Sequence, residues 1–325
     1  MRRPAPQGRG SARTAETAEP YPGLVTDTQD PLLEQEEGAD RSERGPEPGR
    51  EHLAVTVALA VGALASLVGV LVSLHSLAGM SDGLDDTGVV ILANSLFSPI
   101  IVAAFAGAAW GLAAARLPGP RLVLALTGIG AAGLLGGGAA YLAFSVDSGI
   151  ALALALILFG SALLGGALSL PRRRLPVAAG VSATFVLLLL MFARGFIDAS
   201  QVSLWSDPVD QYGALGTAAP FAAGLLCGFC AYAFLRRTRA GAGLPGHLFA
   251  GALPGAIWLL STIIAQVGVE VVLAIGVDRV SSLDSAFLTL SFQWQYNGSM
   301  TVLFGGAVCA VLAYGLLTPK TSTSS

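Results

Sequence analysis

Charge is what this sequence has least of. Only 12% of its 325 residues are Asp, Glu, Lys or Arg, against 54% hydrophobic. A soluble domain carries roughly a quarter charged residues, so an ordinary water-soluble globule is excluded. Lysine is nearly missing, with Lys320 alone beside 17 arginines, and Ala, Gly and Leu dominate. That bias is the codon usage of a GC-rich genome and says nothing of function. A net charge of −3 leaves no electrostatic footprint for nucleic acid, so none is expected as a partner. Three cysteines are too few for a disulfide framework. No second His or carboxylate lies near His75 at ligand spacing, so no metal site is expected. HExxH, GxSxG and Walker A motifs are all missing. The chain reads as a non-enzyme without cofactors.

The charges that are present cluster. Seven of 18 basic and ten of 21 acidic residues precede residue 51. Residues 1–50 are rich in Pro, Gly, Glu and Arg, with Tyr21 the one aromatic, and cannot bury enough apolar surface to offset chain entropy. They read as a disordered cytoplasmic tail with no apolar run of signal-peptide length. Thr14, Thr17, Thr26 and Thr28 lie near acidic residues there; phosphate on them would offer a cytoplasmic protein partner a charged handle.

After Glu51 the chain supplies repeated runs of the roughly 20 apolar residues that a spanning helix needs. Eight are expected: Leu53 to Ala78, Val89 to Ala115, Leu122 to Phe144, Ile150 to Leu170, Leu175 to Ile197, Ala214 to Leu235, Leu248 to Ile275, and Gly298 to Leu317. The expected fold is therefore an all-α, polytopic transmembrane bundle over residues 51–319, in the lipid bilayer, with a short tail at 320–325.

The connectors sort by charge. Arg116 with Arg121, Arg172 to Arg174, the group Arg236, Arg237 and Arg239, and Lys320 occupy every second one. The intervening connectors hold nine aspartates and one basic residue, Arg279. Sixteen of 18 basic residues thus fall on one side, which the positive-inside rule makes cytoplasmic, in a bacterial plasma membrane. Both termini are expected inside. In composition and span layout alone, the chain resembles multi-pass membrane proteins of actinobacterial type; no motif ties it to one family.

Glycines recur four apart: Gly107 with Gly111, Gly133 with Gly137, Gly224 with Gly228, and Gly251 with Gly255. Such pairs let helix backbones approach closely in lipid. The second and sixth spans share a layout, Pro99 followed by Gly107 and Pro220 followed by Gly228, which suggests parallel 4+4 repeats. Pro99, Pro220 and Pro254 are expected to kink their helices. Cys227 and Cys230 form a CxxC inside a span, away from any helix N-terminus, so packing is expected rather than redox chemistry. In AFLTLSFQWQYN, Ala286 to Asn297, apolar and polar residues alternate with the period of a half-buried strand. An interfacial helix capped by Ser282 or Asp284 is the competing expectation.

Polar residues at membrane depth are the default functional candidates. They are His75, Asn94, Arg194, Gln266 and Glu270, with Asp198 one turn beyond Arg194. All but Gln266 are expected in one layer on the outer side of the bilayer centre, with Arg194 paired to Glu270 or to Asp198. Two function classes follow: a non-enzymatic envelope, scaffold or accessory protein, and alternatively a permease or transporter with a polar site in the outer half of the bundle.

Overall fold

A computed structural model describes residues 48–80, 86–144, 148–171, 174–199, 208–238, 241–277 and 280–317. The tail expected over residues 1–50 falls almost wholly outside the described residues, as do residues 320–325. All regular structure among the described residues is helical: α1 (Pro48–Met80), α2 (Asp86–Ser95), α3 (Phe97–Ala114), α4 (Arg121–Ala143), α5 (Ser148–Ala167), α6 (Arg174–Ala199), α7 (Pro208–Arg237), α8 (Leu244–Gly276) and α9 (Ser282–Leu317). Taking α2 with α3, eight stretches are long and apolar enough to cross a membrane. Leu64, Leu134 and Leu142 point outward at 62%, 69% and 81% exposure, a surface that suits hydrocarbon rather than water. This is the architecture of a multi-pass membrane protein.

Helix α3 is the hub, packed against α1, α4, α5, α6 and α8 and buried along most of its length. Its side chains explain how so many neighbours fit: Ala103, Ala104, Ala106, Gly107, Ala108, Ala109 and Gly111 give it almost no girth. A Cβ on Gly107 would overlap the Ala162 carbonyl of α5, and one on Gly165 the Ala104 carbonyl of α3. The contact is therefore backbone to backbone. A second such crossing joins α7, α8 and α9, where Gly228 and Gly251 both press on the Gly306 carbonyl and Gly306 on that of Gly251.

Three sequence expectations need adjustment. The chain breaks at Leu96, between α2 and α3, three residues before Pro99. Proline lacks the N–H that the Ser95 carbonyl would accept, and its ring crowds that carbonyl, so the turn before it opens. Pro220 and Pro254, by contrast, lie inside continuous helices. The alternating segment Ala286 to Asn297 is not a strand; it forms the first turns of α9, continuous with the last span. The cap is Ser281, neither Ser282 nor Asp284: its Oγ accepts from the Asp284 N–H (3.1 Å) and donates to Asp284 Oδ2 (2.6 Å). Ser281 thus caps the helix through the N3 backbone N–H, and the Asp284 carboxylate holds its hydroxyl in place. At 1.5 Å per residue the 36 residues of α9 reach about 54 Å, well beyond a hydrocarbon core of about 30 Å.

Basic connectors meet at one end of the bundle. Arg121 Nη2 donates to the Pro171 carbonyl (3.1 Å), and Arg116 Nη1 to Thr56 Oγ1 near the start of α1 (3.2 Å). Partial burial, and then repulsion from Arg174, lowers the Arg116 guanidinium below its usual value. The α3–α4 and α5–α6 connections and the start of α1 therefore share one end.

Candidate ligand cavity

At the opposite end, where α6 finishes and α7 and α9 begin, the helices do not close on one another. A cavity of about 680 Å³ lies between α6, α7, α8 and α9, with Phe97 of α3 at its base. Known small-molecule pockets span roughly 300 to 1,000 Å³. The void follows from residue size. Small residues make room on two walls, with Gly216, Ala219, Pro220, Ala222 and Ala223 on α7 and Gly298 on α9. Leu187, Leu190, Met191, Phe287 and Leu290 make the remaining lining largely apolar.

Five lining residues carry polar side-chain groups: Arg194, Trp258, Ser291, Trp294 and Gln295. Two of them hold buried atoms with no hydrogen-bond partner among the described residues, the Trp258 indole Nε1 and the Gln295 side-chain Oε1. A buried donor or acceptor left unmade costs about 1 to 3 kcal/mol, so native structures rarely carry one without reason. The contrast with Trp110 is instructive: its Nε1 donates to the Ala63 carbonyl of α1 at 3.0 Å. Trp258, only 8% exposed, is held in place without that help. Its ring lies beside Phe97 (centroids 6.4 Å apart, planes at 43°), and a Cβ on Gly298 would touch its Cζ2 and Cη2 at 3.1 Å. Gln295 is one turn before Gly298 on the same helix, so both orphan atoms belong to one region of the cavity wall.

A smaller cavity of about 290 Å³ adjoins this region, and Phe97 and Gln295 line both. Its character differs: Ser73, Ser76, Asn94, Ser95 and Ser98 line it with neutral polar groups. Ser73 and Ser98 hydroxyls stand 3.4 Å apart across α1 and α3, and Ser76 Oγ donates to the Ser73 carbonyl (2.8 Å).

The sequence candidates divide between these surfaces. Arg194 lines the large cavity and Asn94 the small one. Gln266 and Glu270 face outward from α8, as His75 does from α1, and all three are exposed. Thr262, one turn before Gln266 on α8, is buried and donates to the Trp258 carbonyl (3.1 Å). No ion pair joins Arg194 to Glu270 among the described residues, and the Asp198 side chain lies outside them. Cys227 Sγ lies 3.4 Å from the Ala183 carbonyl and Cys309 Sγ 3.2 Å from that of Leu225, with all three cysteines free.

Sequence reasoning missed Trp258, Gln295, Phe97 and the serines. The available signals were serines three apart in two neighbouring spans and a glutamine at the edge of an aromatic-rich segment. No family model matches the chain, and neither a curated protein nor a solved structure matches it.

Proposed function

We propose that this chain is a non-enzymatic, multi-pass protein of the bacterial plasma membrane that holds a small amphipathic molecule drawn from the bilayer, as an accessory or envelope component. The observation that carries this reading is the 680 Å³ apolar cavity with two unpartnered polar atoms in its wall. No described protein group satisfies that donor and acceptor, and a polar group bound in the cavity relieves both. Charge sorting of the connectors supports cytoplasmic termini, with the meeting of Arg116, Arg121 and Arg174 at one end in accord. The cavity then opens in the outer half of the bundle. The 4+4 repeat finds support in Gly107 and Gly228, each eight residues after its proline and each pressed on a backbone carbonyl two spans later.

Transport is the second reading, favoured by one observation: the two cavities share Phe97 and Gln295, so movement of these side chains would join them. The binding reading is tested in nanodiscs with a lipid bearing a dibrominated acyl chain, because bromine quenches tryptophan on contact and Trp258 and Trp294 both line the cavity. Saturable quenching supports occupancy. Uptake into liposomes of a molecule that quenches in this way separates carrier from holder.

A further inference from the structure

We infer that the occupant is a lipid with an uncharged, hydroxyl-bearing head, its acyl chain in the large cavity and its head at the boundary with the small one. This rests on the binding reading above and names the ligand class of that site. The two orphan atoms are one donor, Trp258 Nε1, and one acceptor, Gln295 Oε1. A lipid hydroxyl offers what both atoms lack, accepting from the indole and donating to the carboxamide oxygen. A carboxylate or a phosphodiester satisfies the indole but sets a negative oxygen against Gln295 Oε1. An ester or ketone likewise lacks the proton. A quaternary ammonium head offers nothing to the indole.

Beyond this boundary, the small cavity continues in the same chemistry. Among the described residues its polar lining is four serine hydroxyls and two carboxamides, with no ionised side chain. Serine and asparagine both donate and accept, which suits further hydroxyls of a glycerol or sugar head. Gln295 and Phe97 line both spaces. They mark the level at which an acyl chain gives way to its head.

The test uses the full-length protein in nanodiscs and three probes that share one dibrominated stearoyl chain: the monoacylglycerol, the methyl ester and the free fatty acid. Saturable quenching of tryptophan is read for each. The monoacylglycerol is expected to bind about tenfold tighter than the methyl ester, the worth of one well-made hydrogen bond, and tighter than the fatty acid. In Gln295→Leu this preference is expected to vanish, with methyl ester binding retained. Ser98→Ala, at a more exposed position, is expected to narrow it. Because the probe comparison in wild type involves no mutation, a Gln295→Leu chain that fails to fold leaves the test standing. Equal binding of the three probes, or tightest binding of the fatty acid, overturns the ligand class and leaves the cavity reading intact. A preference that survives in folded Gln295→Leu also overturns it. Absence of saturable quenching by any probe overturns both.

Discussion

Gly306 of α9 and Gly251 of α8 touch through their backbones, each lying where the other's carbonyl would meet any added methyl group. Gly228 of α7 presses on the same Gly306 carbonyl, so three helices converge on a point with no side chains. The cavity lies toward the other end of the same three helices, between them and α6.

Gly306→Ala is therefore expected to destabilise the bundle by roughly 1 to 3 kcal/mol, because backbone must yield rather than a flexible side chain. Gly130→Ala is the matched control, since a Cβ there meets nothing within 4 Å. It should be neutral or stabilising by up to about 1 kcal/mol. Thermal melting in one detergent compares them, and equal melting temperatures would contradict the backbone contact.

The indoles of Trp110 and Trp258 provide a second pair. Trp110→Phe removes the hydrogen bond to Ala63 and should cost about 0.5 to 1.5 kcal/mol. Trp258→Phe loses similar ring volume but a donor with no partner among the described residues, so in the ligand-free chain it should cost less than Trp110→Phe. A loss in Trp258→Phe equal to or above that in Trp110→Phe would contradict the unpartnered indole.

At the start of α9, Ser281→Ala removes the capping hydroxyl and should cost about 1 kcal/mol. Hydrogen exchange is the direct readout. Faster exchange is expected at residues 283–285, with no change near Gly306; uniform rates would show that the cap does not hold this end.

Connector charge gives a topological expectation. A periplasm-active reporter should be silent when fused at residue 119 or after Leu317, and active when fused at residue 147. Activity at residue 119 would invert the assigned orientation.

The spans were legible because their signal is length and hydropathy, which need no partner. What escaped was set by tertiary contact. Ala286 to Asn297 alternates like a strand, yet the Ser281–Asp284 cap and the apolar span after Gly298 carry it into one helix. Thr262, Gln266 and Glu270 are four residues apart on α8, and each four-residue step drifts by about 40° on a 3.6-residue helix. That drift carries the face from the buried Thr262 to the exposed Glu270. Arg194 stood out as a charge and does line the cavity. Trp258 and Gln295 are neutral and common at such positions, and only the missing hydrogen bonds single them out.

The central claim is that the cavity holds a lipid, and filling it is the most direct test. In a background of Trp110→Phe and Trp205→Phe, the remaining indoles, Trp258 and Trp294, both line the cavity. Adding Ala219→Phe to that background places a ring in the void from the α7 wall. Saturable quenching by the dibrominated monoacylglycerol is expected while Ala219 is kept and is expected to be lost once Ala219→Phe is added, with the fold persisting in both chains. Quenching that rises without saturation and is identical in the two chains would contradict the claim, since it would report bulk lipid alone.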